Sequence, residues 1–357
     1  MTTDSIIPTP YGNKKASDLK VGDYLFNRYG KPTKITEISN KKSAVYEVVL
    51  YDGRKIICDK NERFSYYTSK NNLKTISLND IIYNPIKSRY NILMNDTVEF
   101  EKKSDLIIDP YLLGCFIGNG CNLEKRLTLS SNDLFTVNTC ADILDATPKK
   151  CSQFNYSWNF IKDGNKLNTK DIFGYHDEQL CVKSHLKSIP IEYKYATIEN
   201  RWSLIQGLFD TDGTIGNNDR ANVRYSTSSL QLANDVREIL WSLGFTSTIH
   251  EDKREENINY IIYVCADNKD KDKFFRLPRK LERIPTKIKR KKYDRIAIVS
   301  INELHKKKDL VHIKVDDSEG FYLGKNKKKD LVHIKVDDSE GFYLGENYIV
   351  INNWVGE

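Results

Sequence analysis

Residues 109–121 read DPYLLGCFIGNGC and residues 201–215 read RWSLIQGLFDTDGTI, and the pairing of these two stretches decides the fold. In the first, Asp109 suits a helix N-cap and Pro110 the first helical position, where a missing N–H is no loss. Apolar residues then run to Gly118-Asn119-Gly120, which ends the helix. Gly114 and Gly118 stand four apart, hence on one face, where a second backbone can approach closely. The second stretch repeats the plan, with Gly207 and Thr211 four apart and Asp212-Gly213 at the end. Two such helices packed side by side bring Asn119 and Asp212 together at their C-terminal ends. An acid is unfavourable beside the negative end of a helix dipole, and a bound cation would remove that penalty. Acids gathered around divalent metals are what in-line phosphodiester hydrolysis uses.

The texture of the chain changes on either side of this region. Residues 1–70 read as short strands with turn punctuation: Tyr24-Leu25-Phe26 follows Gly22-Asp23, and Val45–Leu50 pairs with Lys55–Cys58 across an Asp52-Gly53 turn. From about Asp109 to Leu243, apolar helical stretches alternate with β-rich segments in an α+β pattern. After Arg295 strands return, at 296–299, 311–315 and 348–351. A β-fold interrupted by an α+β insert accounts for this order, and 357 residues suit two to three domains.

Charge is concentrated. The chain carries 56 Lys+Arg against 49 Asp+Glu, a net +7, but Arg276–Arg295 alone holds ten basic residues and two acids. That stretch is +8, so the remainder sums to −1. Pro278 and Pro285 prevent it from forming one long helix. With 39% hydrophobic and 11% aromatic residues the chain is not disordered. No apolar run is long enough to span a membrane and no leader opens the chain, so a soluble intracellular protein, cytoplasmic or nuclear, is expected. Seven scattered cysteines with no C-x-x-C point to reduced thiols rather than a disulfide or zinc framework. The six histidines form no ligand-spaced set and read as surface or structural. Residues 306–326 and 327–347 are a tandem duplication that differs only at Lys325 and Glu346. Two copies cannot bury a solenoid core, so one copy is expected to be redundant, with the second holding the core position.

The two glycine-bearing stretches resemble the paired LAGLIDADG motifs of homing endonucleases, IQGLFDTDG more closely than LLGCFIGNG. HLKSIPIEY before the second motif and YSTSSLQLANDVREILWSLGF after it resemble the intein-borne branch of that family. The resemblance implies a pseudo-twofold αββαββα endonuclease domain over residues 107–298. It places Asp212 and Asn119 at the metal-binding acid positions, with Gly118 and Thr211 beside them. Lys187 falls at a basic position near the scissile phosphate, with Lys280 its counterpart in the other half. It further implies Mg²⁺ or Mn²⁺ as cofactor, a long double-stranded DNA target and a monomer with internal pseudo-symmetry. Asn119 departs from the pattern. Its amide oxygen can ligate a metal, but the site loses one formal charge. Strand-biased, weakened and absent cleavage all remain open at this stage.

TTDSIIPTPYG, KASDLKVGDYLF and YGKPTKITEI resemble the start of an intein's Hint domain, and VHIKVDDSEGFYLGENYIVINN its end. The fold class implied is a Hint-like all-β domain (1–106 and 299–357) interrupted by the endonuclease. Splicing in that family needs a nucleophile at the first residue, a Thr-x-x-His, and a terminal His-Asn. Here Met1, Asp59 with Glu62, and Asn352-Asn353 stand at those places, so splicing is not expected. DNA contacts are expected from Arg224 on a sheet and from Arg276, Arg279, Lys280, Arg283, Lys287, Lys289, Arg290, Lys291 and Lys292 through phosphate neutralisation. Two other functions compete: a splicing element with a weak or dead nuclease, and a non-catalytic DNA- or RNA-binding module of maturase type.

Overall fold

The structure is a computed structural model. It describes residues 1–68, 70, 72–84, 90–101, 106–121, 126–151, 156–174, 180–216, 221–253, 258–286, 294–316 and 342–352. The chain divides into two compact units, Met1–Glu99 with Asp294–Glu357, and Phe100–Tyr293.

The discontinuous unit is built on two long antiparallel strands, Pro32–Leu50 and Arg295–Val315. Its main sheet runs Tyr24–Phe26, Pro32–Leu50, Arg295–Val315, Asn91–Leu93, Arg63–Tyr67, Leu73–Ser77, with Lys55–Cys58 added to the second strand. The expected hairpin forms: Val49 pairs with Lys55 and Tyr46 with Cys58, and Gly53 takes the left-handed conformation (φ 84°) that the turn requires. Ile7, Leu25, Val48, Ile56, Phe64, Ile313 and Ile351 fill the core.

Two expectations need correction here. The segments 296–299 and 311–315 belong to one strand, because the polar residues between them pair with 40–47 as an exposed ribbon. Backbone hydrogen bonds hold that ribbon, and apolar alternation carries no trace of it. The register shifts between Glu303 and Lys307, where His305 has φ 50°. The second repeat copy does not hold the core position alone. The first copy supplies Lys306–Val315 to the long strand, and the second supplies Phe342–Leu344, paired with Val350–Asn352.

In the continuous unit the same order of elements occurs twice. The first motif helix, Pro110–Asn119, is followed by strands Gly120–Cys121 and Thr128–Ser130, helix Leu134–Leu144, and strands Thr147–Lys150 and Ser157–Lys162. The second motif helix, Ile198–Thr211, is followed by Gly213–Ile215, Val223–Thr227, helix Leu230–Ser242, Thr246–Asp252 and Asn259–Cys265. Each sheet has the strand order first, second, fourth, third, with Asn165–Lys166 added to Ser157–Lys162 in the first. The two motif helices lie in a shared core with Leu113, Phe116, Leu204, Leu208 and Phe209. No helix among the described residues is long and apolar enough to cross a membrane.

Candidate active site at the paired helix ends

The first motif helix begins as its sequence dictates. The Asp109 carboxylate accepts from the backbone N–H of Tyr111 (2.9 Å) and Leu112 (3.1 Å), with Pro110 next to it. The close approach rests on Gly114 and Gly207. A Cβ on Gly114 would lie 2.8 Å from the Leu208 nitrogen and 3.0 Å from the Gly207 Cα. A Cβ on Gly207 would lie 2.9 Å from the Cys115 nitrogen. One turn further on, Gly118 faces Thr211, and its Cβ would lie 3.2 Å from Asp212 Oδ2. The helices thus converge where the sequence places them, with Gly118, Asn119, Thr211 and Asp212 at the shared end.

The two acids of Asp210-Thr211-Asp212 have different tasks. Asp210 is buried and accepts the Tyr111 hydroxyl (2.9 Å) and the backbone N–H groups of Arg276 (3.2 Å) and Leu277 (3.1 Å). It fixes the return of the chain onto the helix, a role the sequence reading missed, since both acids look alike in the string. Asp212 is half-buried, and among the described residues no hydrogen-bond donor reaches its carboxylate. Burial pushes its carboxyl up to about 6, against the opposing pull of Lys187 and Lys280.

Those two lysines clasp the helix ends. Lys187 Nζ donates to the carbonyls of Ile117 (2.6 Å), Gly118 (3.0 Å) and Gly120 (3.5 Å) at the end of the first motif helix. Lys280 Nζ donates to Phe209 (2.6 Å), Asp210 (2.8 Å) and Gly213 (2.7 Å) at the end of the second. Each supplies positive charge to carbonyls that would otherwise lack partners. The dipole penalty that a bound cation was expected to remove is therefore offset in part by the protein's own lysines. Lys187 lies 68 residues after Asn119 and Lys280 lies 68 residues after Asp212, a spacing present in the sequence that the reading did not use. Burial depresses Lys280 to about 8.

The straps that carry the lysines are held in turn. The Ser229 hydroxyl donates to the Lys187 carbonyl (2.6 Å) while accepting from the Leu232 N–H (3.1 Å). Asp235 accepts from the Ile189 N–H (3.0 Å). On the other side, Arg279 makes a two-pronged pair with Asp133 (2.7 and 2.6 Å).

Two clefts flank the helix ends. One, of about 280 Å³, is lined by Asn119, Ser130, Asp133, Tyr156, Thr211 and Arg279. The other, of about 520 Å³, is lined by Gly118, Ser184, Lys187, Asp212, Ser226 and Asp252. Among the described residues no cluster of three or more His, Cys, Asp or Glu side chains could hold a metal ion. The donors at the helix ends are the Asp212 carboxylate, the Asn119 amide and backbone carbonyls, with Asp252 in the Asp212 cleft and Asp133 and Asp210 in the other, all oxygen, which suit a hard divalent cation.

Several expected DNA contacts are placed differently. Lys280 is 2% exposed, so it is not available to a backbone phosphate. Arg276 is half-buried, bonded to Gln206 (2.7 Å) and Ser203 (2.7 Å) and laid over the Tyr111 ring. Arg279 and Arg283 are exposed, and Arg224 is half-buried over the Tyr263 ring on the second sheet. Lys287, Lys289, Arg290, Lys291 and Lys292 lie outside the described residues.

The residues expected at the splicing positions lie in the discontinuous unit. The Met1 amine donates to Glu62 (3.2 Å), and Asp59 lies 3.5 Å from His312. Although burial acts to raise the Asp59 carboxyl, His312 holds it below its ordinary value. The Asn352 amide accepts the Ser65 hydroxyl (2.9 Å). The buried His312 is a structural histidine with a specific partner, which spacing alone did not reveal. Asn353 lies outside the described residues.

Residues 199–278, which contain the second motif helix and the sheet after it, match the family model of LAGLIDADG-like domains. A replicative DNA helicase DnaB from Mycobacterium intracellulare is 26% identical over 316 residues, 78% of this chain and 49% of that protein. The chain thus spans about half the length of that curated relative. Among solved structures, variants of the homing endonuclease I-DmoI match at 17% identity and a TM-score of 0.34, over 49% of this chain and 95% of theirs. The gp41-1 intein matches at 20% identity and a TM-score of 0.21, over 26% of this chain and 65% of its own.

Proposed function

We propose that the chain is a DNA endonuclease of homing type, borne on a Hint-like domain that does not splice. The observation that carries this reading is Asp212: a half-buried carboxylate at the junction of two glycine-packed helix ends, lining a cleft, with no hydrogen-bond donor to it among the described residues. Such a group attracts a divalent cation, and Asp212 with the Asn119 amide and nearby carbonyls would hold Mg²⁺ or Mn²⁺. When bound, the metal supplies positive charge against the phosphate and lowers the pKa of the attacking water. The chain's own contribution is positional. Gly114 and Gly207 set the distance between the helix ends, and Lys187 and Lys280 hold those ends rigid. Arg224, with Thr214 and Tyr263 as cross-strand neighbours, presents one sheet face to the DNA. The repeated order of helices and strands supports a pseudo-twofold monomer that receives both DNA strands. On this reading the protein works where its DNA target is, in the cytoplasm or nucleus.

The test is incubation of the full chain with a DNA library and Mg²⁺ or Mn²⁺, followed by mapping of cut ends. Cleavage that survives Asp212→Asn at an unchanged rate rejects the assignment. Binding without any cleavage favours the non-catalytic module, which the neutral Asn119 supports. For the Hint-like unit, a methionine thioether cannot perform the acyl shift and Glu62 cannot replace the missing histidine. Placed between two reporter proteins, the chain should remain an unspliced precursor on a denaturing gel, and a ligated reporter would refute this part.

A further inference from the structure

Four residues line up across the outward face of the second sheet: Thr214, Arg224, Tyr263 and Thr248, each directly opposite the next. Their strand neighbours Val223, Tyr225, Ile262 and Val264 point the other way, into the core. Arg224 and Tyr263 stand on the two inner strands. The Arg224 guanidinium lies over the Tyr263 ring, 5.7 Å from its centroid. The His250 ring meets the same ring edge-on, with centroids 5.0 Å apart, and its Nε2 is 3.2 Å from the Thr248 hydroxyl. The Arg224 Nε is buried and, among the described residues, has no hydrogen-bond partner. A buried donor of a charged group is costly when left unpaired, and a ligand that supplies an acceptor removes that cost. The matching row of the first sheet is Cys121, Thr128, Asn159 and Lys149. There the Thr128 hydroxyl donates to the Asn159 amide oxygen (3.2 Å), and the Asn159 amide nitrogen donates to Cys151 Sγ (2.9 Å). This inner pair is closed on itself, with Asn159 9% exposed.

From this contrast we infer that Arg224 is a specificity-determining residue, which selects a guanine in the half of the DNA site that the second sheet covers, while the inner pair of the first sheet tolerates any base. The inference rests on the reading above that the sheet face meets DNA. In the major groove guanine alone offers two neighbouring acceptors, N7 and O6, which match two N–H groups of a guanidinium fork. Adenine sets its N6 donor against one of them, cytosine presents a donor, and thymine has one acceptor beside a methyl group. Tyr263 positions the plane of the fork, and His250 positions Tyr263. A phosphate would also accept from Arg224, but the place of Arg224 in the sheet favours the base. Strands about 4.8 Å apart put the two outer strands about 14 Å from each other, wider than the roughly 12 Å groove, so the inner strands reach its floor and the outer ones meet its phosphate walls.

The test is a binding selection. The full chain, in Ca²⁺ without Mg²⁺ or Mn²⁺, is offered a library of randomised DNA duplexes, and the bound duplexes are sequenced. The wild type should enrich a site in which one guanine is preferred over the other bases by roughly 10- to 100-fold. Arg224→Gln should move that preference to adenine, whose N6 and N7 suit a side-chain amide, and should change no other position. Thr128→Ala should change no position at all. A duplex with 7-deazaguanine at the selected position keeps O6 and loses the N7 acceptor, so the wild type should bind it roughly 10-fold more weakly. That arm needs no variant to fold. An unchanged guanine preference in Arg224→Gln overturns the inference, as does equal affinity for the 7-deazaguanine duplex. Weaker binding of every sequence by Arg224→Gln, with the salt slope reduced by about one, makes Arg224 a phosphate contact and also overturns it. A base preference lost in Thr128→Ala overturns the contrast between the sheets. Enrichment of no sequence by the wild type overturns both the inference and the site-specific endonuclease. Cutting of the selected duplex in Mg²⁺ is read separately: a guanine preference set by Arg224 without any cutting upholds the inference and rejects the nuclease.

Discussion

Asp212 shows how a single residue couples function to stability. Its carboxyl is pushed up to about 6 in the folded chain from an ordinary value of 3.8. Between those pH values the folded protein holds a proton that the unfolded chain has released. Stability therefore falls as pH rises from about 4 to about 6 and then levels off, by on the order of 3 kcal/mol. Asp212→Asn should remove this slope, raise the metal-free melting temperature at pH 8 by several degrees, and abolish cleavage. Melts of both proteins at pH 4, 6 and 8 check it. A difference between them that does not change with pH contradicts the desolvated carboxyl. The same residue was legible in the sequence because it ends a glycine-marked apolar helix. Its neighbour Asp210 was not, since only the fold shows that Tyr111, Arg276 and Leu277 use up its oxygens.

At the scale of elements, the helix pair and the clasps make separate predictions. Ala at Gly114 or Gly207 would drive a Cβ into the facing backbone, which cannot step aside as a side chain can. Each should cost about 1–3 kcal/mol or more, read as a loss of several degrees in melting temperature. A Gly114→Ala melt equal to wild type would mean that the helices do not touch there. The glycine spacing made this contact readable in advance, because a face of small residues has a direct geometric meaning. The lysine clasps were less readable: Lys187 reaches carbonyls about 70 residues upstream, a contact that no local pattern encodes. The resemblance pointed to Lys187 as a group near the phosphate, so that Lys187→Met would slow cleavage and spare affinity. With its amine on three carbonyls, the substitution should also lower stability, by about 1.5–3 kcal/mol for each charged hydrogen bond not replaced by water. Melting and single-turnover cleavage on Lys187→Met and Lys280→Met separate the two roles. Loss of rate with an unchanged melt would put the Lys187 amine at the phosphate and not in the clasp.

For the whole molecule, the tandem repeat gives the sharpest test of how sequence and fold correspond. The strand Arg295–Val315 ends within the first copy, and the pair Phe342–Leu344 with Val350–Asn352 begins within the second. Each copy thus contributes a different strand segment of the β-unit. Deleting 306–326 joins His305 to Lys327, and the next ten residues, KKKDLVHIKV, are the same ten that now complete the long strand. Deleting 317–337 instead yields the identical chain, so the outcome cannot depend on which copy is called redundant. In the product Leu310, Val311, Ile313 and Val315 are replaced by the same side chains, and Phe342, Tyr343 and Leu344 follow five residues after the next aspartate pair begins. The connection between the two β-segments becomes 21 residues shorter, and shorter closures cost less entropy, by about 1 kcal/mol here. The deletion should therefore leave the melting temperature unchanged or slightly higher, with DNA binding retained. A drop of more than about 5 °C, beyond what 1 kcal/mol produces in a domain of this size, would show that residues 317–337 carry structure of their own.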